Sequence, residues 1–188
     1  MKQFRTLFYA VTLIVVSGCC TPDPNVGSQN LTVVGQQQSN WCWAASGQMA
    51  MGFFGVTVQQ CDEANKQFGL SNCCNSPTPA ACNNGGWPEF DKYGFTADHT
   101  SDAPLSWEQI KSQISCHGAP FCFSWHWSGG GGHMMVISAY SVFNNVNYVY
   151  LRDPEPVGQG SSRWVTYDAY VNGPGYTHWD DYYNIAKK

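Results

Sequence analysis

Residues 36–46 read QQQSNWCWAAS and place one thiol, Cys42, at the predicted start of an apolar helix that runs to about Phe54 and stops at Gly55. The unpaired N–H groups and the dipole of a helix start favour a thiolate over a thiol. Gln36, six residues earlier, offers a side-chain amide that could join the Cys42 backbone N–H in holding an oxyanion. The same stretch also fits a structural reading, in which Cys42 is a small apolar residue packed between Trp41 and Trp43, because free cysteine is a common core filler.

Residues 129–153, GGGGHMMVISAYSVFNNVNYVYLRD, favour the chemical reading. A glycine loop leads into His133 and a predicted strand, Met134–Ala139. Asn144 and Asn145 mark a turn, and a return strand, Tyr148–Leu151, leads to Asp153 and Pro154. Antiparallel pairing brings His133, at the start of one strand, close to Asp153, at the end of the other. Asp153 would then hold one imidazole nitrogen and leave the second for Cys42, the arrangement of a base and its orienter. Gly131 and Gly132 leave room beside the histidine for a substrate backbone. A carbonyl-bonded histidine and an Asp-Pro turn are ordinary when met separately. Together with Cys42 they form a set.

The other elements fall into place around these two segments. Thr57–Gln60 fits a capping box for a second helix ending near Gly69, and Ser106–Gln109 fits another for a helix reaching Ile114. Phe121–Trp127 reads as a strand, Trp164–Val171 has no clear period, and Trp179–Ile185 reads as a weak last strand. Helices first and antiparallel strands later predict an α+β fold, with the helix bearing Cys42 packed on a sheet bearing His133 and Asp153. Residues 31–188 are long enough for one domain with its own core.

The N-terminus suggests where this chemistry takes place. Lys2 and Arg5 precede an apolar run, Leu7–Val16, too short to span a bilayer, and the run closes on Val16-Ser17-Gly18-Cys19. Residues 1–18 therefore read as a signal peptide of lipobox type, with Cys19 as the lipidated residue and residues 19–30 as a tether. An ordinary secreted protein cut near Gly18 is the alternative. The ending resembles the lipobox of bacterial lipoproteins, and by resemblance to Gram-negative lipoproteins Cys20 rather than aspartate after Cys19 implies the outer membrane. A formal charge of −4 with only 9 Lys and Arg argues against a nucleic-acid-binding surface.

Of the nine cysteines, Cys19 is assigned to lipid, Cys42 to chemistry and Cys20 to the tether. Cys61, Cys73, Cys74, Cys82, Cys116 and Cys122 remain as disulfide candidates, in pairings that spacing does not select, although Cys116 and Cys122 could close a local loop. Disulfides imply an oxidising compartment. A zinc site fits less well, since Cys73-Cys74 matches no ligand spacing and no histidine lies between Cys61 and Cys82.

Over roughly residues 31–172 the chain resembles the papain-like cysteine peptidases. The likeness is to their compact bacterial branch, which includes bacteriocin leader-processing peptidases and a plant-pathogen effector protease. Gln36, Cys42-Trp43-Ala44-Ala45, the Gly-Gly-His start at His133 and Asp153-Pro154 carry the likeness. It implies that Gln36 is the oxyanion residue, Cys42 the nucleophile, His133 the base and Asp153 the orienter. It also implies a peptide or protein substrate and no metal or organic cofactor. The cysteine that plant-type enzymes carry three residues before the nucleophile is replaced by Ser39, so substrate preference does not carry over from papain. Trp43 and Trp125 are expected around the catalytic pair, with His126 in a subsite or the core. His99, His117 and His178 are expected in structural or surface roles. The same residues also suit an acyltransferase or transglutaminase-like enzyme, and the aromatic residues suit a non-catalytic peptide- or glycan-binding envelope protein. An intact set of four argues against the last.

Overall fold

The computed structural model describes residues 20–188; the proposed signal segment and Cys19 lie outside the described residues. The predicted first helix forms as α1, Cys42–Phe53, and ends at Gly55 with φ at 78°. Ala44, Ala45, Met49, Ala50 and Met51 are good helix formers, and all are buried. The helix packs close to its neighbours because small residues line it. A side chain at Gly47 would run into Glu63 of the second helix, and the Ser46 hydroxyl donates to the Met134 carbonyl at 3.2 Å, fixing α1 on the sheet.

The second helix, α2, spans Gln60–Phe68 and ends on a left-handed Gly69, as predicted. Its predicted capping box does not form. Gln59 is the N-cap without a side-chain bond, and the Gln60 side chain reaches back to the loop before α1 instead. The third helix, α3, Trp107–Lys111, carries the predicted Ser106–Gln109 capping box and runs on through a wider turn, Ser112–Cys116.

The strands are β1 (Val26–Ser28), β2 (Phe95–His99), β3 (Phe121–Trp127), β4 (Gly132–Phe143), β5 (Val146–Asp153), β6 (Ser161–Thr166), β7 (Asn172–Gly173) and β8 (Tyr176–Lys187). They form one antiparallel sheet in the order β2-β8-β3-β4-β5-β6, with β1 added to β4 and β7 to β8. The stretch Trp164–Val171 splits into the end of β6 and a short helix, α4 (Tyr167–Val171), capped by Thr166.

Both faces of the central strands are covered, which explains why β4 is an apolar run without alternation. Met134 and Val136 join Trp41, Trp43, Met49 and Met51 on the α1 side. Met135 and Ile137 face the other way, into a second core with Phe121, Phe123, Val149, Leu151 and Tyr170. The turn between β4 and β5 has Asn144 and Asn145 at φ 50° and 60°, the left-handed pair that a tight hairpin needs.

Two cysteine assignments are corrected. Cys116 pairs with Cys20, not Cys122, and Cys61–Cys74 and Cys73–Cys82 complete the bridges. Cys122 is a free, fully buried thiol whose sulfur lies 3.6 Å from the Ser46 carbonyl. It sits on β3 and points into the core, while Cys116 ends the turn after α3 and is taken by Cys20. The proposed tether is also folded rather than loose. Beyond the Cys20 bridge, β1 pairs with β4 at Val26↔Ser141, and Tyr140 donates to the Asp23 carbonyl at 2.6 Å. Its lack of an apolar period conceals a backbone that completes the edge of β4. Among the described residues no helix is long and apolar enough to cross a membrane.

Candidate active site

The half-buried Cys42 begins α1, and no side chain caps that helix start. The turn leading into it is braced by the disulfide-stapled loop. Asn83 accepts from the Asn40 N–H at 3.0 Å and donates to the Ser39 hydroxyl at 2.9 Å. Trp41 donates to the Cys82 carbonyl at 2.7 Å and Trp43 to that of Asn84 at 3.0 Å. The Cys73–Cys82 bridge thus holds the loop that positions the thiol, a link that cysteine spacing did not reveal.

Across the cleft, the hairpin does what its pairing predicts. His133 Nε2 lies 2.7 Å from Asp153 Oδ1, which leaves Nδ1 for the thiol. The Asp153 carboxylate also accepts from the Glu155 N–H at 2.9 Å and from Arg163, on β6, at 2.6 Å. Burial pushes the Asp153 carboxyl up, but these partners, His133 foremost, outweigh it and hold it down at about 2. Burial likewise disfavours a charged His133. Its hydrogen bonds to Asp153 and Cys42, and the charges on both, prevail and raise it to about 10. His133 therefore keeps its proton at neutral pH, flanked by the Asp153 carboxylate on one side and Cys42 on the other. Arg163 was not foreseen, because it enters the site from a third strand.

Gln36 is fully buried before α1. Its backbone is clamped on both sides: the N–H donates to Pro154 O at 2.9 Å and the carbonyl accepts from the Gly158 N–H at 2.8 Å. Gln60 secures the residues flanking it, accepting from the Gln37 N–H at 2.8 Å and donating to Gly35 O at 3.0 Å. The Gln36 amide donates to the carbonyls of Gln38 and Ser39, at 3.1 and 2.9 Å. Gln36 itself does not line the cleft, but Ser39 and Cys42, in the same turn, do.

The cleft beside the thiol, about 270 Å³, is lined by Cys42, Trp43, Gly131, Gly132 and His133 as anticipated, and also by Gln67, Gly85, Gly86, Trp87 and Trp179. A side chain on Gly132 would meet the Trp125 carbonyl and, at 2.8 Å, the Trp179 ring, so only glycine fits there. Trp125 and His126 do not line the cleft. Trp125 pairs with His133 in register, but its indole turns into the second core and donates to Tyr170 O at 3.0 Å. Trp127 stacks on the His133 ring instead, with centroids 6.4 Å apart. The exposed His126 lies on Trp179. A second pair, His178 and Asp181 at 3.0 Å, is sealed beneath Phe123 and Tyr170 and does not line the cleft. His99 pairs with Asp180 at 3.1 Å at the surface, and His117 is exposed. Cys61, Asp62 and Cys74 come together as metal ligands would, but the two sulfurs are bonded to each other.

Solved structures share this fold at low sequence identity. A chain from work on the mite allergens Blo t 1 and Der p 1 matches with a TM-score of 0.56 and 14% identity, over 93% of this chain and 74% of that one. The digestive procathepsin L 3 of Tenebrio molitor larval midgut matches at 0.57 and 12%, over 87% and 70%. A double glycine motif protease from an AMS/PCAT transporter, solved with its leader peptide, aligns at 0.46 and 18%, over 83% and 94%. No curated protein matches the chain. The mixed helix and antiparallel-sheet architecture is papain-like, and the Peptidase_C39 like family model matches residues 28–186. The chain belongs to the Peptidase_C39 like family and is a papain-like cysteine peptidase.

Proposed function

We propose that this protein is a lipid-anchored peptidase of the cell envelope that cleaves peptide bonds through an acyl-enzyme on Cys42. The observation that carries the reading is the row Cys42–His133–Asp153, with His133 held protonated at neutral pH between Cys42, whose proton it carries in the reactive form, and a buried carboxylate. The thiolate attacks the scissile carbonyl carbon, and the C=O electron pair moves onto oxygen. The Cys42 N–H and the Gln36 amide hold that oxyanion, with Gln36 exchanging its bond to Ser39 for the new one. As the C–N bond breaks, His133 gives its proton to the departing amine. Neutral His133 then takes a proton from water, whose oxygen attacks the thioester and releases the acid and the thiolate. Asp153 orients the imidazole and stabilises its charge. Glycines on both sides, Gly85–Gly86 and Gly131–Gly132, admit an extended peptide backbone, and Trp43, Trp87 and Trp179 supply apolar walls. The lipobox at Cys19 and the three disulfides support the envelope location.

A thiol-reactive peptidyl electrophile tests the reading. Cys42 alone is expected to be labelled rapidly at neutral pH; the disulfide cysteines should stay silent without reductant and Cys122 until the protein unfolds. Cys42→Ala and His133→Ala should abolish peptide cleavage in folded protein, while His126→Ala leaves most of it. Full activity in Cys42→Ala, or equal loss in His126→Ala, overturns the assignment. Adding an amine and weighing the products separates hydrolysis from acyl transfer. Cys19→Ser should give an uncleaved precursor or a soluble form that still cleaves small peptides.

A further inference from the structure

The α1 side of the sheet is covered where β4 begins and bare where it ends. At the far end, cross-strand pairs put Val26, Ser141, Phe143, Val146, Tyr148, Tyr150 and Trp164 on one face. Phe143 is 64% exposed, Val26 54%, Trp164 47% and Val146 40%. Ser141, Phe143, Tyr148 and Trp164 line a shallow hollow there. The rings of Tyr150 and Trp164 lie 4.8 Å apart, and the Arg152 guanidinium sits 4.6 Å over Tyr150. Among the described residues, no element packs on this face. Neither the catalytic chemistry nor the core uses it.

The route of the chain identifies what covers it. Val26 lies seven residues after Cys19, a span of at most about 25 Å, and Cys20 is tied to the domain through Cys116. Ser115 and Asp23, next to that bridge, bond Tyr140 of the second core, so the bridge lies at this end of the sheet but on its opposite side, and a lipid chain on Cys19 would reach the bilayer around the edge of β4. Trp and Tyr favour the headgroup level of a bilayer, Phe and Val the acyl boundary just below it, and an arginine complements anionic headgroups.

We infer that the Val26–Phe143–Tyr148–Trp164 face docks on the bilayer that holds the Cys19 anchor. This rests on the lipoprotein reading. His133 is ten residues from Phe143 along β4, about 33 Å at the rise of an extended strand. Docking thus holds the catalytic cleft away from the lipid, facing soluble or periplasmic substrates. The acyl chains on the Cys19 thiol and amine supply retention, since two or more anchor stably where one is marginal, and the aromatic face sets the orientation of the domain.

The test uses the full chain expressed in a bacterial envelope and reconstituted in phosphatidylethanolamine/phosphatidylglycerol vesicles whose acyl chains carry bromine. The mass of the N-terminal peptide reports acylation at Cys19, and bromine quenching reports tryptophans near the lipid. Docking predicts quenching that Trp164→Phe removes and Trp127→Phe, at the cleft end, leaves unchanged. Phe143→Ser should lower the quenching severalfold while peptide cleavage stays at the wild-type level. Added mass at Cys19 without Trp164-dependent quenching overturns the docking and leaves the anchor standing. Trp164-dependent quenching without added mass supports the docking and overturns the anchor; absence of both overturns both. A concentration-dependent dimer that Phe143→Ser abolishes would make a second copy the occupant and refute the bilayer.

Discussion

Replacing Asp153 by asparagine separates the two duties of this carboxylate, orientation and charge. In the structure Oδ1 accepts from His133 and from the Glu155 N–H, and Oδ2 accepts from Arg163. An asparagine oxygen can keep the first two bonds and hold the ring. Its NH₂ then faces the Arg163 guanidinium, donor against donor, but that arginine is 44% exposed and can swing into water. What is lost is the negative charge beside the imidazolium. An opposite charge at this range is worth about 1–3 pKa units, so the His133 value of about 10 should fall to about 7–9. The sign follows directly. The raised value means that the ion pair exists below it and is lost as pH rises through it. The basic limb of kcat/KM should therefore move down by about 1–3 units in Asp153→Asn, with a modest loss at neutral pH and a steep one under alkaline conditions. The assay is a kcat/KM–pH profile on a fluorogenic peptide for the wild type, Asp153→Asn and Asp153→Asn/Arg163→Gln. The double variant should behave like Asp153→Asn, because in that variant Arg163 already turns into water, and it should leave the alkaline limb shifted. An unmoved basic limb in Asp153→Asn would refute the claim that this carboxylate charge sustains the imidazolium.

Other perturbations have equally definite outcomes. Gln36→Ala should slow acylation by about 10²–10³-fold, and Gln60→Ala, which frees the backbone on both sides of Gln36, should slow it less with KM nearly unchanged; a pure KM effect in either contradicts the oxyanion role. Glu63 is buried with neither carboxylate oxygen partnered, and burial, with help from Glu89, raises its pKa well above the usual range. Its folded form binds the proton more tightly than the unfolded chain, so stability falls as pH rises above the unfolded value of about 4.3. Glu63→Gln should thus raise Tm at about pH 8 and give little gain near pH 4; an equal gain at both would refute the buried-acid account. Replacing Cys20 and Cys116 together by serine opens a bridge spanning 96 positions, and should lower stability by up to about 4–5 kcal/mol while the cleft stays active; an unchanged Tm would show that β1 alone holds the N-terminal segment.

The chain's local chemistry announces much of the molecule. Alternation and turn residues are short-range signals, so the helix starting at Cys42, the Asn144–Asn145 hairpin and the meeting of His133 with Asp153 were all legible from residues near one another in sequence. The same two segments carried the resemblance that implied the papain-like class. What could not be read were partners chosen across the fold. Cys20 met Cys116 because β1 completes the edge of β4, a pairing made by backbone groups that leave no mark in side-chain composition. Gln60 looked like a helix cap, yet it bonds the loop at Gln36, since a buried amide satisfies whichever backbone groups the packing presents. Arg163 reaches Asp153, Gly85–Gly86 faces Gly131–Gly132, and Trp127 rather than Trp125 covers His133, each fixed by sheet order or by which way a side chain turns. Sequence by itself determined the candidate reacting groups and the elements that carry them, because those depend on local periodicity. Tertiary structure alone decided how they are supported, because support comes from strands and loops remote in sequence.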